Sequence, residues 1–235
     1  MEITELIKNY QPDAQKIADL QTVSVCLLVG IMGAGKDTIK RQLLSKGNYF
    51  EFVSYTTRQP RNNNGITEID GKDYFFIDIA EAKRMLVDGE FIEAKQVAQN
   101  VYGTGIATLL EAKASGQIAL NDVDIQGVSE YKKLLPQTTA VFILPPSFEE
   151  WQQRVRSRYQ SDREFEEVWP GRREVAIREL QMALSVPYYH FVINDNLDRA
   201  VDAVDKIANY QDKFHRKDDE ARLIARGILE QISAN

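Results

Sequence analysis

An apolar run, V-S-V-C-L-L-V (23–29), leads straight into Gly30-Ile31-Met32-Gly33-Ala34-Gly35-Lys36-Asp37-Thr38. No other feature constrains the chain as tightly. A short continuous apolar run rich in β-branched residues reads as a strand buried on both faces. After the glycines, the spacing predicts a helix from about Asp37 to Leu44. Glycines let the backbone curl so that successive N–H groups point at one anion. The dipole of the following helix and the charge of Lys36 act in the same direction. The arrangement predicts a phosphate cradle built as strand, loop and helix. Ser or Thr usually follows the lysine in such loops and holds magnesium through its hydroxyl, whereas this chain has Asp37. A carboxylate is also an oxygen ligand for magnesium, and Thr38 offers the missing hydroxyl next along. Asp37 adds negative charge beside a triphosphate, so nucleotide binding is expected to depend strongly on metal.

Strand-like runs and helical periodicity then alternate. Val141–Leu144 is an apolar run ended by Pro145-Pro146, and Ser147-x-x-Glu150 reads as a capping box opening a helix through Trp151 and Val155. Phe191–Ile193 is a short strand stopped by Asn194-Asp195-Asn196. Leu197, Ala200, Val201, Val204, Ile207 and Ala208 then mark one face of a helix. Alternation of this kind predicts an α/β fold around a parallel sheet covered on both faces. Residues 50–104 differ: short segments such as Tyr74–Ile77 and Phe91–Glu93, with a loop at Asn62–Gly65, predict a small, partly antiparallel insert. Residues 158–171 are polar and weakly periodic, which predicts a mobile segment. Ile3, Leu6, Ile7 and Tyr10 form one terminal stripe, and Ile224, Ile228 and Ile232 another. They read as helices packing on the domain or as surfaces for self-association into a homo-oligomer.

Composition narrows the function. With 235 residues, 43% hydrophobic and 27% charged, the chain is long enough to bury a substantial core. A net charge of -6 disfavours a nucleic-acid partner, although a local arginine cluster still suits a small anion. Cys26 is the single cysteine, so no intrachain disulfide forms; it reads as a buried strand residue in a reducing, cytoplasmic setting. No signal peptide is evident, and no apolar run reaches the about 20 residues of a membrane span. His190 and His215 match no catalytic pattern.

S-Y-T-T-R-Q-P-R (54–61) is more specific than the loop, because Arg58 and Arg61 flank a turn at Pro60 and guanidinium forks suit phosphate oxygen pairs. E-I-D-G-K-D-Y (68–74), F-I-E-A (91–94), Y-G-T (102–104) and D-V-D-I-Q-G (122–127) follow in order. With these motifs the chain resembles guanylate kinase from the phosphate loop to about residue 208. The resemblance implies a P-loop NTPase fold with a parallel five-stranded core sheet flanked by helices, a small mixed α/β GMP-binding insert and a lid. The implied boundaries are an N-terminal helical extension over 1–22, a guanylate kinase-like domain over 23–208 and a C-terminal helical extension over 209–235. Within the domain, the core spans 23–49 and 105–208, the insert about 50–104 and the lid about 156–172.

Carried over motif by motif, the resemblance implies that Arg58, Arg61, Tyr74 and Tyr102 bind the GMP phosphate, with Glu68 beside the arginines. Ser54, Glu93, Thr104 and Asp124 fall where the family contacts guanine. A carboxylate accepts from guanine's ring N–H and amine, but meets a lone pair on adenine. Gly30 to Thr38 are implied at the phosphates of ATP and Asn194 near its adenine, with Asp37 and Thr38 as ligands of Mg2+. Lys36, Arg58 and the lid arginines Arg154, Arg158 and Arg172 are implied as the catalytic cations. Ile31-Met32 replaces the family's common Pro-Ser, and the loop from Arg61 to Glu68 and the lid are longer than usual. The implied activity is Mg-assisted phosphorylation of GMP, and of dGMP, by ATP. Two other readings are a catalytically silent guanylate-kinase-like binding module and a P-loop kinase acting on a ribosyl phosphate.

Overall fold

The computed structural model describes residues 2–63, 65–210 and 218–234. His215 and the start of the C-terminal extension lie outside the described residues. In chain order the first elements are α1 (Ile3–Lys8), α2 (Ala14–Asp19), β1 (Val25–Val29), α3 (Lys36–Ser45), β2 (Tyr49–Glu51), β3 (Tyr55–Thr56), β4 (Asn62–Asn63) and β5 (Ile66–Thr67). Next come β6 (Phe75–Phe76), α4 (Ile79–Val87), β7 (Phe91–Val97), β8 (Asn100–Gly105), α5 (Ile106–Ser115), β9 (Ile118–Asp122) and α6 (Ile125–Leu134). The chain closes with β10 (Thr139–Leu144), α7 (Phe148–Arg156), α8 (Asp162–Ser185), β11 (Tyr189–Ile193), α9 (Leu197–Tyr210) and α10 (Asp218–Ala234).

The three apolar runs read as strands become β1, β10 and β11, and with β9 and β2 they complete the parallel sheet of five that the resemblance implies, in the order β11-β10-β1-β9-β2. Contacts divide the chain into two compact units: Met1–Ser24, Phe50–Asn121 and Ser129–Thr138 in the first, Val25–Tyr49, Asp122–Val128 and Thr139–Asn235 in the second. The first unit thus takes in residues beyond the 50–104 insert.

In the second unit β1 pairs with β10, Leu28 opposite Val141, and β10 with β11, Phe142 opposite Phe191. All of β1 is buried, as a strand covered on both faces requires. Burial pushes the Cys26 thiol up to about 12, leaving it protonated and unreactive. Ala200, Val201, Val204, Ile207 and Ala208 are the buried face of α9. Ser147 caps α7 by accepting from the Glu150 N–H, but the Glu150 carboxylate pairs with Arg154, so the capping box is made from one side.

The polar segment 158–171 is mostly helix: Ser161 caps α8, which runs without a break through Pro170 to Ser185. A proline inside a helix removes one backbone hydrogen bond and normally marks an end. Here aromatic packing outweighs that loss. Trp169 lies 5.0 Å from Phe165 and 4.9 Å from Trp151, ring centre to centre, and Phe148 closes the cluster. The i, i+4 pair Phe165 and Trp169 was the periodic signal hidden in a charged stretch.

α10 packs on α8 and β11 through Ala221, Ala225, Ile228 and Ile232, all buried. Arg173 on α8 donates to the Ile232 carbonyl at 2.6 Å. Arg222 donates to the Tyr189 carbonyl at 2.9 Å with its guanidinium over the Phe191 ring. The stripe on this helix therefore faces its own chain.

The first unit carries the expected insert as a four-stranded mixed sheet, β6-β3-β8-β7. β3 runs parallel to β6 and antiparallel to β8, and β7 is antiparallel to β8. Of the stretch read as a loop at 62–65, Asn62–Asn63 form β4, which pairs antiparallel with β5. Asn62 directs it: its side-chain oxygen accepts from the Gly65 N–H while its amide donates to Thr67. Ile3, Leu6, Ile7 and Tyr10 pack against Met85, Leu86 and Phe91, so the N-terminal stripe also faces its own chain. Among the described residues no helix is long and apolar enough to cross a membrane.

Candidate functional site

The second unit holds a cavity of about 300 Å³ at the glycine loop. It is walled by Gly30, Met32, Gly33, Gly35, Lys36 and Asp37 from the loop, Asp122 at the end of β9, Arg158, and Arg172, Val175, Ala176 and Glu179 on α8. The loop's shape is fixed from behind. Gly30 has φ +146°, and a Cβ there would collide with the Ile143 carbonyl on β10; Gly35, at φ +97°, caps α3 and would strike the Asn194 amide. Those backbone conformations exclude other residues. Trp151 Nε1 donates to the Met32 carbonyl at 2.7 Å and Asn194 Nδ2 to the Ala34 carbonyl at 2.8 Å, so two side chains hold the curl open.

Lys36 Nζ donates to the Gly30 carbonyl across the loop. Burial holds its pKa below the usual lysine range, opposed by Glu179, Asp122 and Asp37. Burial raises the Glu179 carboxyl above its usual range, opposed by Lys36. The lining carries three cations, Lys36, Arg158 and Arg172, against three carboxylates, Asp37, Asp122 and Glu179. Such a wall is neutral before any ligand arrives, so a triphosphate needs a companion cation. Asp37 and Asp122 are hard oxygen donors of the kind magnesium takes alongside water and phosphate. Among the described residues no cluster of three or more ligating side chains forms a closed metal cage. Asp122 also accepts from Lys40 Nζ at 2.7 Å.

The first unit gathers charged and aromatic side chains around Arg58. Arg58 makes a forked pair with Glu68, Nη1 to Oε2 at 2.8 Å and Nη2 to Oε1 at 3.0 Å, and Glu68 also accepts from the Arg61 N–H at 2.7 Å. One carboxylate thus fixes both the guanidinium and the turn through Pro60. The fork raises the pKa of Arg58 and lowers that of Glu68, so both stay charged. The guanidinium carbon lies 5.3 Å from the Tyr74 ring centre and 5.8 Å from that of Phe76, and Tyr74 meets Tyr102 edge-on at 6.1 Å. Arg58 Nε is buried with no hydrogen-bond partner among the described residues. The Arg61 side chain is exposed, and Ser54 is half-buried beside β3. On the same sheet Thr104 Oγ1 donates to Glu93 Oε1 at 3.1 Å.

The family model for guanylate kinase matches residues 23–211. The chain belongs to the guanylate kinase family. It is 38% identical over 179 residues to a guanylate kinase of Nitratidesulfovibrio vulgaris, covering 76% of this chain and 82% of that one. A guanylate kinase of Carboxydothermus hydrogenoformans is 33% identical over 208 residues, or 86% of this chain and 95% of that one. The crystal structure of guanylate kinase from Anaplasma phagocytophilum superposes with a TM-score of 0.57 at 26% identity, covering 80% of this chain and 86% of the other.

Against the guanylate kinase resemblance, the structure brings Arg58, Glu68, Tyr74 and Tyr102 together, and Glu93 with Thr104. It also brings Arg158 and Arg172 into the cavity of Lys36 and Asp37. Arg154 instead donates to Glu150 and to the Asn194 carbonyl, and Asn194 is itself buried behind the loop. Neither is among the residues walling the cavity. Asp124 accepts from the Gly127 N–H at the start of α6, and Thr38 follows Asp37 in the first turn of α3. Sequence reasoning missed Phe76, Asp122 and Glu179. Phe76 alternates with Tyr74 on a strand and so shares its face, and Asp122 ends a strand in the same motif as Asp124. Glu179 had only helical spacing from Arg172 to mark it.

Proposed function

We propose that this chain transfers the γ-phosphoryl group of ATP to GMP, and also to dGMP, yielding the diphosphate. The observation that carries the proposal is the Arg58–Glu68 fork, set among Tyr74, Tyr102 and Phe76. A guanidinium held in plane suits a terminal phosphate monoester. Glu93 and Thr104 suit guanine: the carboxylate accepts from the ring N–H and amine, while Ser54, Thr104 and Asp124 complete the polar contacts. Adenine offers Glu93 no matching donor, which leaves a desolvated carboxylate uncompensated.

On the donor side, the loop amides from Gly30 to Thr38 and Lys36 would hold the ATP phosphates, with Asn194 fixing the loop toward the adenine end. Asp37, Asp122 and Thr38 are the groups that would hold Mg2+. Bound there, the metal supplies charge neutralisation for the phosphates. The acceptor phosphate is already ionised, so the chain's task is positioning and charge compensation rather than proton removal. Arg158 and Arg172, in the lid of about 156–172, draw charge from the transferring group. Arg58 and Arg61 offset the repulsion between two approaching anions. Closure over the cavity would exclude water and suppress ATP hydrolysis.

Two small nucleotides are the proposed partners, with neither nucleic acid nor membrane, and the lone buried thiol fits a cytoplasmic setting. The test is a coupled assay of diphosphate formation with GMP, dGMP, AMP and a ribose bisphosphate as acceptors. The proposal expects GMP and dGMP to be used and AMP to lag by a factor of about 10⁴ in kcat/KM. No ADP formation with GMP would restore the binding-module reading, and preference for the bisphosphate would restore the ribosyl-phosphate kinase.

A further inference from the structure

The N-terminal helices lie outside the residues matched by the family model, and the proposed chemistry does not use them. Just past α1, the Tyr10 hydroxyl engages both backbone polar groups of a single residue. It donates to the Phe91 carbonyl at 2.6 Å and accepts from the Phe91 N–H at 2.7 Å, with its ring edge-on to Phe91 at 6.3 Å. Phe91 opens β7, which is the edge strand of the four-stranded sheet. The outward groups of an edge residue have no neighbouring strand, and here one hydroxyl stands in for it.

The register of β7 against β8 shifts at this point: Phe91 pairs with Gly105 but Glu93 with Thr104, so two steps on β7 oppose one on β8. That is a β-bulge, which re-aims side chains and loosens the ladder that would otherwise fix them. The bulge sets Glu93 across from Thr104, whose hydroxyl donates to its carboxylate. The N-terminal segment pins the same strand on either side. Thr4 donates to the Gln96 side chain at 2.9 Å, and the Asp13 N–H donates to the Gly89 carbonyl at 3.0 Å.

We infer that Tyr10 is a positioning residue for Glu93: its hydroxyl fixes the bulge that aims the carboxylate, so the N-terminal segment tunes recognition of the purine base. The inference rests on the proposed reading of Glu93 as the group that binds guanine. Burial raises the Tyr10 phenol well above its usual range, with Glu90 and Glu93 adding to the effect against the Phe91 hydrogen bond. The hydroxyl therefore keeps the proton it must donate.

The test uses the full chain and three single variants, with KM for GMP and ATP and the kcat/KM ratio of GMP to IMP as readouts. IMP lacks the exocyclic amine that a well-aimed carboxylate rewards. Tyr10→Phe keeps the ring and removes only the hydroxyl. It is expected to raise KM for GMP by roughly three- to tenfold, the worth of about one hydrogen bond, and to narrow the GMP/IMP ratio while KM for ATP stays within about twofold. Leu6→Ala weakens the same packing without touching the hydroxyl, and is expected to lower Tm and leave the ratio in place. Combining Tyr10→Phe with Glu93→Gln should add nothing to the effect of Glu93→Gln alone. An unchanged GMP/IMP ratio in Tyr10→Phe, an equal change in Leu6→Ala, or additive losses in the double variant would overturn the inference and leave the reading of Glu93 standing. If Glu93→Gln itself leaves GMP kinetics unaltered, the reading of Glu93 fails first and the inference with it.

Discussion

The two proposed anion sites are made from different material. At the phosphate loop, backbone does the holding: glycines at Gly30 and Gly35 adopt conformations barred to other residues, and buried side chains from α7 and the end of β11 brace the curl. At the arginine site, the backbone supplies one N–H from Arg61 while Arg58, Glu68, Tyr74 and Tyr102 do the rest. A backbone cradle is inseparable from the sheet that carries it. A side-chain cradle can be dismantled with the sheet intact. Damage to the first should therefore appear as lost stability, and damage to the second as lost affinity.

The largest expected effect is at Gly30. Its alanine variant sets a Cβ against the Ile143 carbonyl and should cost more than about 3 kcal/mol, a fall in Tm of roughly 10 °C by calorimetry. If Gly30→Ala melts like the parent, the loop is not braced by β10 as described. Next in size is Glu68→Gln. Losing the carboxylate releases the Arg58 fork and should raise KM for GMP about tenfold. Tm and KM for ATP should move little; a matching loss in Tm would erase the contrast between the sites.

Asp37→Ser comes third. Removing one carboxylate from a lining with balanced charges should ease the magnesium requirement for ATP binding several-fold, read as affinity with and without metal. An unchanged requirement would show that Asp37 is not part of the metal's surroundings. The smallest effect separates the sites by acid. Glu68 is stabilised as a carboxylate by Arg58, so its hold on the fork is present above the ordinary glutamate range and is lost only as pH falls below it. Glu179 is disfavoured as a carboxylate by burial, so it takes up its proton above that range as pH falls. Carboxyl-detected NMR titration should place Glu179 higher than Glu68, and the reverse order would refute both environments.

The same distinction governs what was legible in the sequence. The loop was readable because backbone geometry demands particular residues at particular spacings, as at Gly30, Gly35 and Lys36. The strands were readable because burial on both faces demands unbroken apolar runs, as in Val25–Val29. Arg58 was readable as a phosphate fork beside Pro60, but Glu68 and Tyr74 only through resemblance, since ten residues and a hairpin separate Arg58 from its carboxylate. α8 was misjudged because Pro170 and a charged surface masked the Phe165–Trp169 pair that holds it. The doubled hydrogen bond of Tyr10 left no mark in the pattern, because it depends on an edge strand 81 residues away.

On the proposed reading, the loop of Lys36 takes ATP and the fork of Arg58 takes the GMP phosphate, each independently. Isothermal titration of GMP and of a non-hydrolysable ATP analogue with magnesium into Lys36→Ala and Arg58→Ala separates the two. Lys36→Ala should lose the ATP analogue and keep GMP, while Arg58→Ala should lose GMP and keep the analogue. Loss of both ligands in either folded variant, or GMP binding that survives without the Arg58 guanidinium, would contradict it.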